Sequence, residues 1–333
     1  MKKSIALQQY EQGVPFFEVY PDYDSEKLPN WLKSRINEAR VFGASKNMIV
    51  LPDGQKYQLN NALNDLPASE WLKFTNSVES TWYPTTGEKS YAHSIRKEHP
   101  SPKPPQLMEE IIKFFTKEKE WILDYFMGVG GTLLGAALSN RNAVGIDLND
   151  NYIKIYEQAA KSLDLKIMPT MCANALKILK DKKALLSLNH NNKFSLILID
   201  PPYSNMMNRK KTGADIAKYG ANATPFTKFD TDLGNMSKDK WLSSLKCTIE
   251  DSLDLLKTRG YIVIFIKDLQ PSKKDTNLLH ADIINSINEI PNIFYKGLKI
   301  WEDKSVKLFP YGYPLSFVAN QTHQYILIFR KEK

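Results

Sequence analysis

The sequence predicts an α/β protein, a Rossmann-like, doubly wound and mainly parallel sheet preceded by an irregular N-terminal region. Three observations predict it. Between residues 120 and 268 short apolar runs alternate with longer helical patterns, the signature of a parallel sheet covered by helices on both faces. The apolar run 121–124 leads into a glycine turn, Gly128-Val129-Gly130-Gly131, that opens a helix. The next apolar run, 143–147, ends in Asp147, so a carboxylate follows the turn at the spacing of a nucleotide-binding βαβ unit.

The elements follow in order. Strands are expected at 121–124, 143–147, 167–171, 194–199 and 261–266, and helices at 132–139, 151–163, 175–188 and 238–257. Each crossover is long enough for a right-handed βαβ connection. A helix at 280–290 and extended segments at 298–302 and 324–329 are expected to close the sheet, antiparallel at one edge. Residues 1–90 form a separate region with a hairpin turn at Pro52-Asp53-Gly54, and residues 91–333 form the main domain. The tract 204–235 is polar, without sustained period, and far longer than an ordinary strand-to-helix connection. Residues 204–237 are therefore expected to be a flexible substrate-binding loop.

The chain has 333 residues, 42% hydrophobic and 25% charged, ordinary values for a folded globular protein. No apolar run approaches the roughly 20 residues that span a bilayer, and Met1-Lys2-Lys3 precede no secretory apolar segment. The cytoplasm is the expected compartment, with no membrane partner. The two cysteines, Cys172 and Cys247, fit no metal or redox spacing, so no metal is expected. Lys and Arg number 45 against 37 Asp and Glu, a net +8, which is compatible with a polyanion partner.

At the glycine turn, Gly128 and Gly130 let the backbone bend tightly and approach a ligand, with free amides at the helix start. Asp147 can accept hydrogen bonds from both ribose hydroxyls. That pairing also suits a nicotinamide dinucleotide, but the turn is not G-x-G-x-x-G: a leucine stands where a third glycine would pack. Adenosine without a pyrophosphate fits better. Asn174, after the third strand, suits both an adenine contact and a helix N-cap.

Asp200-Pro201-Pro202-Tyr203 ends the fourth strand, beside the switch point of such a sheet. An exocyclic base amine is a poor nucleophile because its lone pair is delocalised into the ring. Asp200 and the Pro201 carbonyl can accept the amino hydrogens and draw them out of that plane. The two prolines fix φ and remove competing donors, and Tyr203 offers an aromatic face for a flipped base. Neither cysteine follows a proline, which disfavours a covalent C5-cytosine mechanism.

These residues resemble a known family, the DNA amino-methyltransferases that modify N6 of adenine or N4 of cytosine. The likeness runs over residues 91–268, with a tail to the end. His99-Pro100-Ser101-Pro102-Lys103-Pro104-Pro105 and the helix after it are similar to the family segment flanking the methionine end of S-adenosylmethionine. Phe126-Met127-Gly128-Val129-Gly130 is similar to its cofactor loop, and Asp200 to Tyr203 to its catalytic tetrapeptide. Tyr125, Val129 and Asn174 depart from the family's usual proline, serine and acidic residue. The resemblance implies the S-adenosylmethionine-dependent methyltransferase fold and that cofactor. Its contacts would be Ser101, Lys103, Pro104, Asp124, Phe126, Gly128, Gly130, Thr132, Asp147, Leu148 and Asn174. Asp first in the tetrapeptide favours adenine.

The reading is a site-specific DNA methyltransferase acting on adenine N6 after base flipping. Alternatives are an N4-cytosine enzyme, an RNA guanine-N2 methyltransferase and a catalytically silent nucleic-acid-binding subunit. The partners implied are double-stranded DNA and a cognate restriction endonuclease or partner subunit. Arg209, Lys210, Lys211 and Lys218 are the candidate nucleic-acid contacts. Because no separate recognition domain is evident, DNA readout is expected from 204–235 or from the first hundred residues. The latter offer Trp71, Phe74, Trp82, Tyr83 and the basic pair Arg96-Lys97.

Overall fold

The computed structural model describes residues 4–204, 226–271 and 275–333. The chain divides into two compact units, 1–76 with 113–118, and 77–112 with 119–333.

The smaller unit holds a four-stranded antiparallel sheet, β1 (Val14–Pro15), β2 (Arg40–Phe42), β3 (Met48–Val50) and β4 (Lys56–Gln58), in that order. Strands this short carry no readable period. The sheet is held instead by the buried cluster Phe16, Leu32, Val41, Ile49, Leu51 and Tyr57. The expected hairpin turn joins β3 to β4: Asp53 accepts from the Gln55 amide at 3.0 Å, and Gly54 takes φ +84°. Trp71 and Phe74 pack on Phe114, the Phe74 ring stacked at 3.9 Å, so both serve the interior of this unit.

The larger unit is built on an eight-stranded sheet. Its strands are β5 (Val78–Thr81), β6 (Trp121–Asp124), β7 (Asn142–Asp147), β8 (Thr170–Cys172), β9 (Phe194–Ile199), β10 (Leu256–Ile266), β11 (Ile293–Asp303) and β12 (His323–Lys331). The order is β5-β11-β12-β10-β9-β6-β7-β8. Pairing from β8 through β10 is parallel, and β12 runs antiparallel to both β10 and β11. Strand order therefore reverses between β6 and β9, which puts the carboxyl ends of these two strands side by side at the switch point. All six residues of β9 are buried, as required of a central strand covered on both faces.

Several elements differ from the sequence expectation, each for a local reason. The helix expected at 175–188 is two, Ala175–Ile178 and Lys182–Ser187, because Asp181 caps the second by accepting from the Ala184 amide at 3.0 Å. The helix expected to reach 257 ends at Ser252, since Leu256 already pairs with Phe194 of β9. The third strand starts at Thr170, not 167, as Ile167 is 40% exposed. The antiparallel pairing is interior, not at the edge: β5 adds beyond β11 and runs parallel to it. Residues 77–90, grouped with the N-terminal region by sequence, belong through β5 to the larger unit.

A candidate active site at the sheet switch point

The turn after β6 is shaped by its own backbone. Gly128 and Gly130 take φ +50° and +75°, a region costly for any residue with a Cβ. At Gly130 a Cβ would lie 2.1 Å from the Tyr156 ring. Asp124, 3% exposed, accepts from the Phe126 amide at 3.0 Å. Burial pushes its carboxyl up to about 7, against hydrogen bonds from Thr132 and Phe126, with the Asp200 and Asp147 charges adding to the rise. Asp147, ending β7, accepts from the Gly128 amide on one oxygen and the Asn149 amide on the other, both at 2.8 Å. Its enclosure raises the carboxyl to about 6 despite those bonds.

The segment before the helix Pro105–Phe115 forms the facing wall. Its anchor is Arg96, 1% exposed, whose Nε donates to the Val129 carbonyl at 3.2 Å and whose Nη2 donates to the Lys103 carbonyl. One guanidinium thus ties the glycine turn to the segment carrying Lys103. Burial alone lowers its pKa to about 10. His99 is held neutral: burial, then the Lys103 and Arg96 charges, lower it to about 3. Its Nδ1 accepts from the Ser101 amide at 3.1 Å, and its ring stacks with Phe226 at 5.2 Å and meets Tyr152 edge-on at 4.8 Å.

At the end of β9 the Asp200 carboxylate has a partner on each oxygen. Lys103 Nζ, on a 7% exposed residue, lies 2.5 Å from Oδ2 and also faces the Phe265 ring at 5.2 Å. The Tyr203 hydroxyl donates to Oδ1 at 2.7 Å, with Gln324 Oε1 a longer 3.3 Å away. Burial, and then the Asp200 charge, drive the Tyr203 phenol well above its ordinary value. Trp241, fully buried on the helix Lys238–Ser252, donates its indole N–H to the Pro202 carbonyl at 2.6 Å.

One pocket gathers most of the residues singled out by sequence. Ser101, Lys103, Asp124, Phe126, Gly128, Thr132, Asp147, Leu148, Asn174 and the whole tetrapeptide 200–203 line it, around a space of about 1100 Å³ counting its open mouth. Gly130 shapes the turn behind it. Pro104 lines a neighbouring cleft, with its carbonyl accepting from Met108 at 3.3 Å. Asn174 is the N-cap of Ala175–Ile178, accepting from the Leu176 amide at 2.9 Å, while also lining the pocket. Lys103 bonds the tetrapeptide's carboxylate. Tyr203 is 8% exposed, with its hydroxyl on Asp200.

The basic pair Arg96-Lys97, offered for DNA readout, is corrected in one member: Arg96 is buried among carbonyls and cannot reach solvent. Arg209, Lys210, Lys211 and Lys218 lie outside the described residues. Sequence reasoning named His99 only as the start of the segment flanking the cofactor and gave no site role to Tyr152, Phe226 or Asp232; all four line the pocket. It also missed Trp241. Only the apolar face of the helix 238–252 could have flagged it, and that signal does not separate packing from a bond to Pro202. Among the described residues no group of three His, Cys, Asp or Glu could hold a metal ion, and no helix is long and apolar enough to cross a membrane.

Comparison with known proteins adds an independent line. The family described as DNA methylase matches residues 10–158 and 194–333. The type II methyltransferase M1.MboII of Moraxella bovis is 36% identical over 132 residues, 40% of this chain and 45% of that protein. The type II methyltransferase M2.DpnII of Streptococcus pneumoniae is 46% identical over 57 residues, 17% of this chain and 21% of that protein. The chain thus spans less than half the length of these curated relatives. Among solved structures, TrmN from Thermus thermophilus aligns over 73% of this chain and 53% of its own, with 14% identity and a TM-score of 0.46.

Proposed function

The chain belongs to the DNA methylase family, and from that premise we propose that it transfers a methyl group from S-adenosylmethionine to N6 of adenine in duplex DNA. The observation supporting this reading is a single shared pocket. It contains the Asp147 carboxylate beside the glycine turn and, at the end of β9 on the far side of β6, the Asp200 carboxylate beside two prolines.

The residues present fit S-adenosylmethionine. Asp147 spends one acceptor site per oxygen on backbone amides and keeps capacity for two ribose hydroxyls. Asp124 offers an enclosed carboxylate for an ammonium group, and Phe126, Leu148 and Tyr152 are apolar walls for a purine. When bound, this group supplies an electrophilic methyl on a sulfonium centre.

The chain's own residues act on the acceptor base. Asp200 accepts one amino hydrogen and the Pro201 carbonyl the other, which turns the nitrogen lone pair out of conjugation with the ring. Lys103 pairs with the carboxylate at Oδ2 and fixes its position, and Trp241 fixes the Pro202 carbonyl. The Tyr203 hydroxyl donates to Asp200 Oδ1, which keeps room for the amine, and its ring offers a stacking face for the base. Asp in the first position of the tetrapeptide favours adenine over cytosine.

The test incubates the purified chain with methyl-labelled S-adenosylmethionine and duplex DNA, single-stranded DNA or tRNA. Nucleosides from the product are then separated by mass. N6-methyladenine from duplex DNA is the expected result. N4-methylcytosine would move the assignment to the other base, and label in tRNA alone would overturn it. Asp200→Ala should abolish transfer with cofactor affinity retained.

A further inference from the structure

The connection between β11 and β12, residues 304–322, emerges at the carboxyl edge of the sheet. Tyr325 of β12 pairs with Ile266 at the end of β10, and β10 pairs through Ile264 with Ile199, the residue before Asp200. At the foot of the connection Gln324 approaches the Tyr203 hydroxyl. Its tip is strongly apolar yet solvent-facing: Tyr313 is 81% exposed, Leu315 92% and Phe317 92%.

These side chains are held outward by an organised scaffold. The Asn320 amide donates to the Phe309 carbonyl and its oxygen accepts from the Phe309 amide, both at 2.8 Å, which clamps the two limbs together. Within the tip the amides of Leu315 and Ser316 donate to the Gly312 carbonyl at 2.7 and 2.8 Å. A Cβ at Gly312 would lie 2.3 Å from the Ser316 carbonyl oxygen, so the turn requires glycine. Leaving such a surface in water is costly unless a partner covers it.

Charge narrows the partner. Residues 304–322 contain Lys304 and Lys307 and no Asp or Glu, which suits a polyanion with an apolar interior. We propose that this connection is a wedge for duplex DNA. Leu315 and Phe317 enter the base stack beside the nucleotide drawn toward Asp200, and Lys304 and Lys307 meet the flanking phosphates. The wedge fills the space the withdrawn base leaves, so the duplex stays open while the amine is held. The proposal rests on the DNA reading above.

The test uses the full chain, labelled S-adenosylmethionine and DNA from a methylation-deficient strain, supplied as duplex or after heat denaturation. Leu315→Ser with Phe317→Ser should raise KM for the duplex tenfold or more. KM for the denatured strands should change less than threefold, and S-adenosylhomocysteine affinity should stay within twofold. Lys304→Gln with Lys307→Gln should reduce the slope of log affinity against log salt by about 1.8, the release expected from two phosphate contacts. An unchanged duplex KM, or an equal loss on both DNA forms, overturns the wedge. So does a dimer in sedimentation that the apolar variant turns into a monomer without a change in KM, which would make the tip a self-association surface. If the wild type labels no DNA, the underlying reading fails and the wedge with it. That result is distinct from a defect confined to the variants.

Discussion

Replacing Asp147 with Asn tests the cofactor assignment most directly. Each oxygen of the carboxylate already accepts one backbone amide, from Gly128 and Asn149. The Asn side chain must turn an NH2 toward one of those donors, so a bond within the turn is lost and two charge-assisted ribose bonds become neutral at best. At about 1 kcal/mol for each of three weakened bonds, the total is about 3 kcal/mol, or about 150-fold in Kd. Because burial raises the carboxyl to about 6, its ionised fraction climbs from about a tenth at pH 5 to about nine-tenths at pH 7. The charged form binds ribose, so affinity should rise about tenfold across that window, with proton release on binding. Calorimetry with S-adenosylhomocysteine from pH 5 to 8 reads both effects, and Asp147→Asn should remove this part of the slope. Any slope left between pH 6 and 8 belongs to Asp124. Equal affinity and an equal slope in the variant would refute the ribose role.

Asp124 gives a stability prediction of defined sign. Its folded carboxyl, raised to about 7 from an ordinary 3.8, binds protons more tightly folded than unfolded, so stability falls as pH rises from about 4 through 7. Asp124→Asn should therefore melt higher than the wild type at pH 8, with the gap narrowing below pH 7 and closed by about pH 4 in thermal scans of the cofactor-free chain. Lys103→Met leaves the Asp200 carboxylate without its cation. Transfer should fall about 100-fold, an effect of about 3 kcal/mol, with cofactor affinity nearly unchanged. A matching loss of cofactor affinity would return Lys103 to the cofactor. Trp241→Phe keeps the ring but removes the bond to the Pro202 carbonyl. It should cost about 1 kcal/mol of stability and lower kcat about tenfold at constant cofactor Kd.

The parts of the fold legible in sequence are those whose residues face one environment throughout. The strands 121–124 and 194–199 were expected at the bounds observed, because a strand buried on both faces is a continuous apolar run ended by polar residues. Distant contacts overrode the local pattern elsewhere. Residues 253–257 continue a helical composition, yet pairing with β9 makes Leu256 the first residue of β10. In the site, the tetrapeptide and glycine turn were legible because proline and glycine impose backbone geometry wherever they stand. The Lys103–Asp200 pair spans 97 positions, and the Arg96 tie to Val129 spans 33. Nothing local marks a lysine or an arginine as buried: Arg96 reads as surface charge, and Lys103 enters only through the resemblance, as a cofactor contact. The segment 304–322 reads as an ordinary Pro- and Tyr-rich connection, because nothing in its sequence says that its apolar side chains turn outward.

The Asp200 carboxylate already has a donor on each oxygen, Tyr203 on one and Lys103 on the other. Each oxygen keeps room for a further donor, so entry of a base adds a hydrogen bond at Oδ1 when the newcomer brings an N–H, as the amino groups of adenine and cytosine do. Thymine presents O4 there, an acceptor facing an anion. Selection against thymine would thus operate at entry, through the opposition of two acceptors, before the methyl donor takes part.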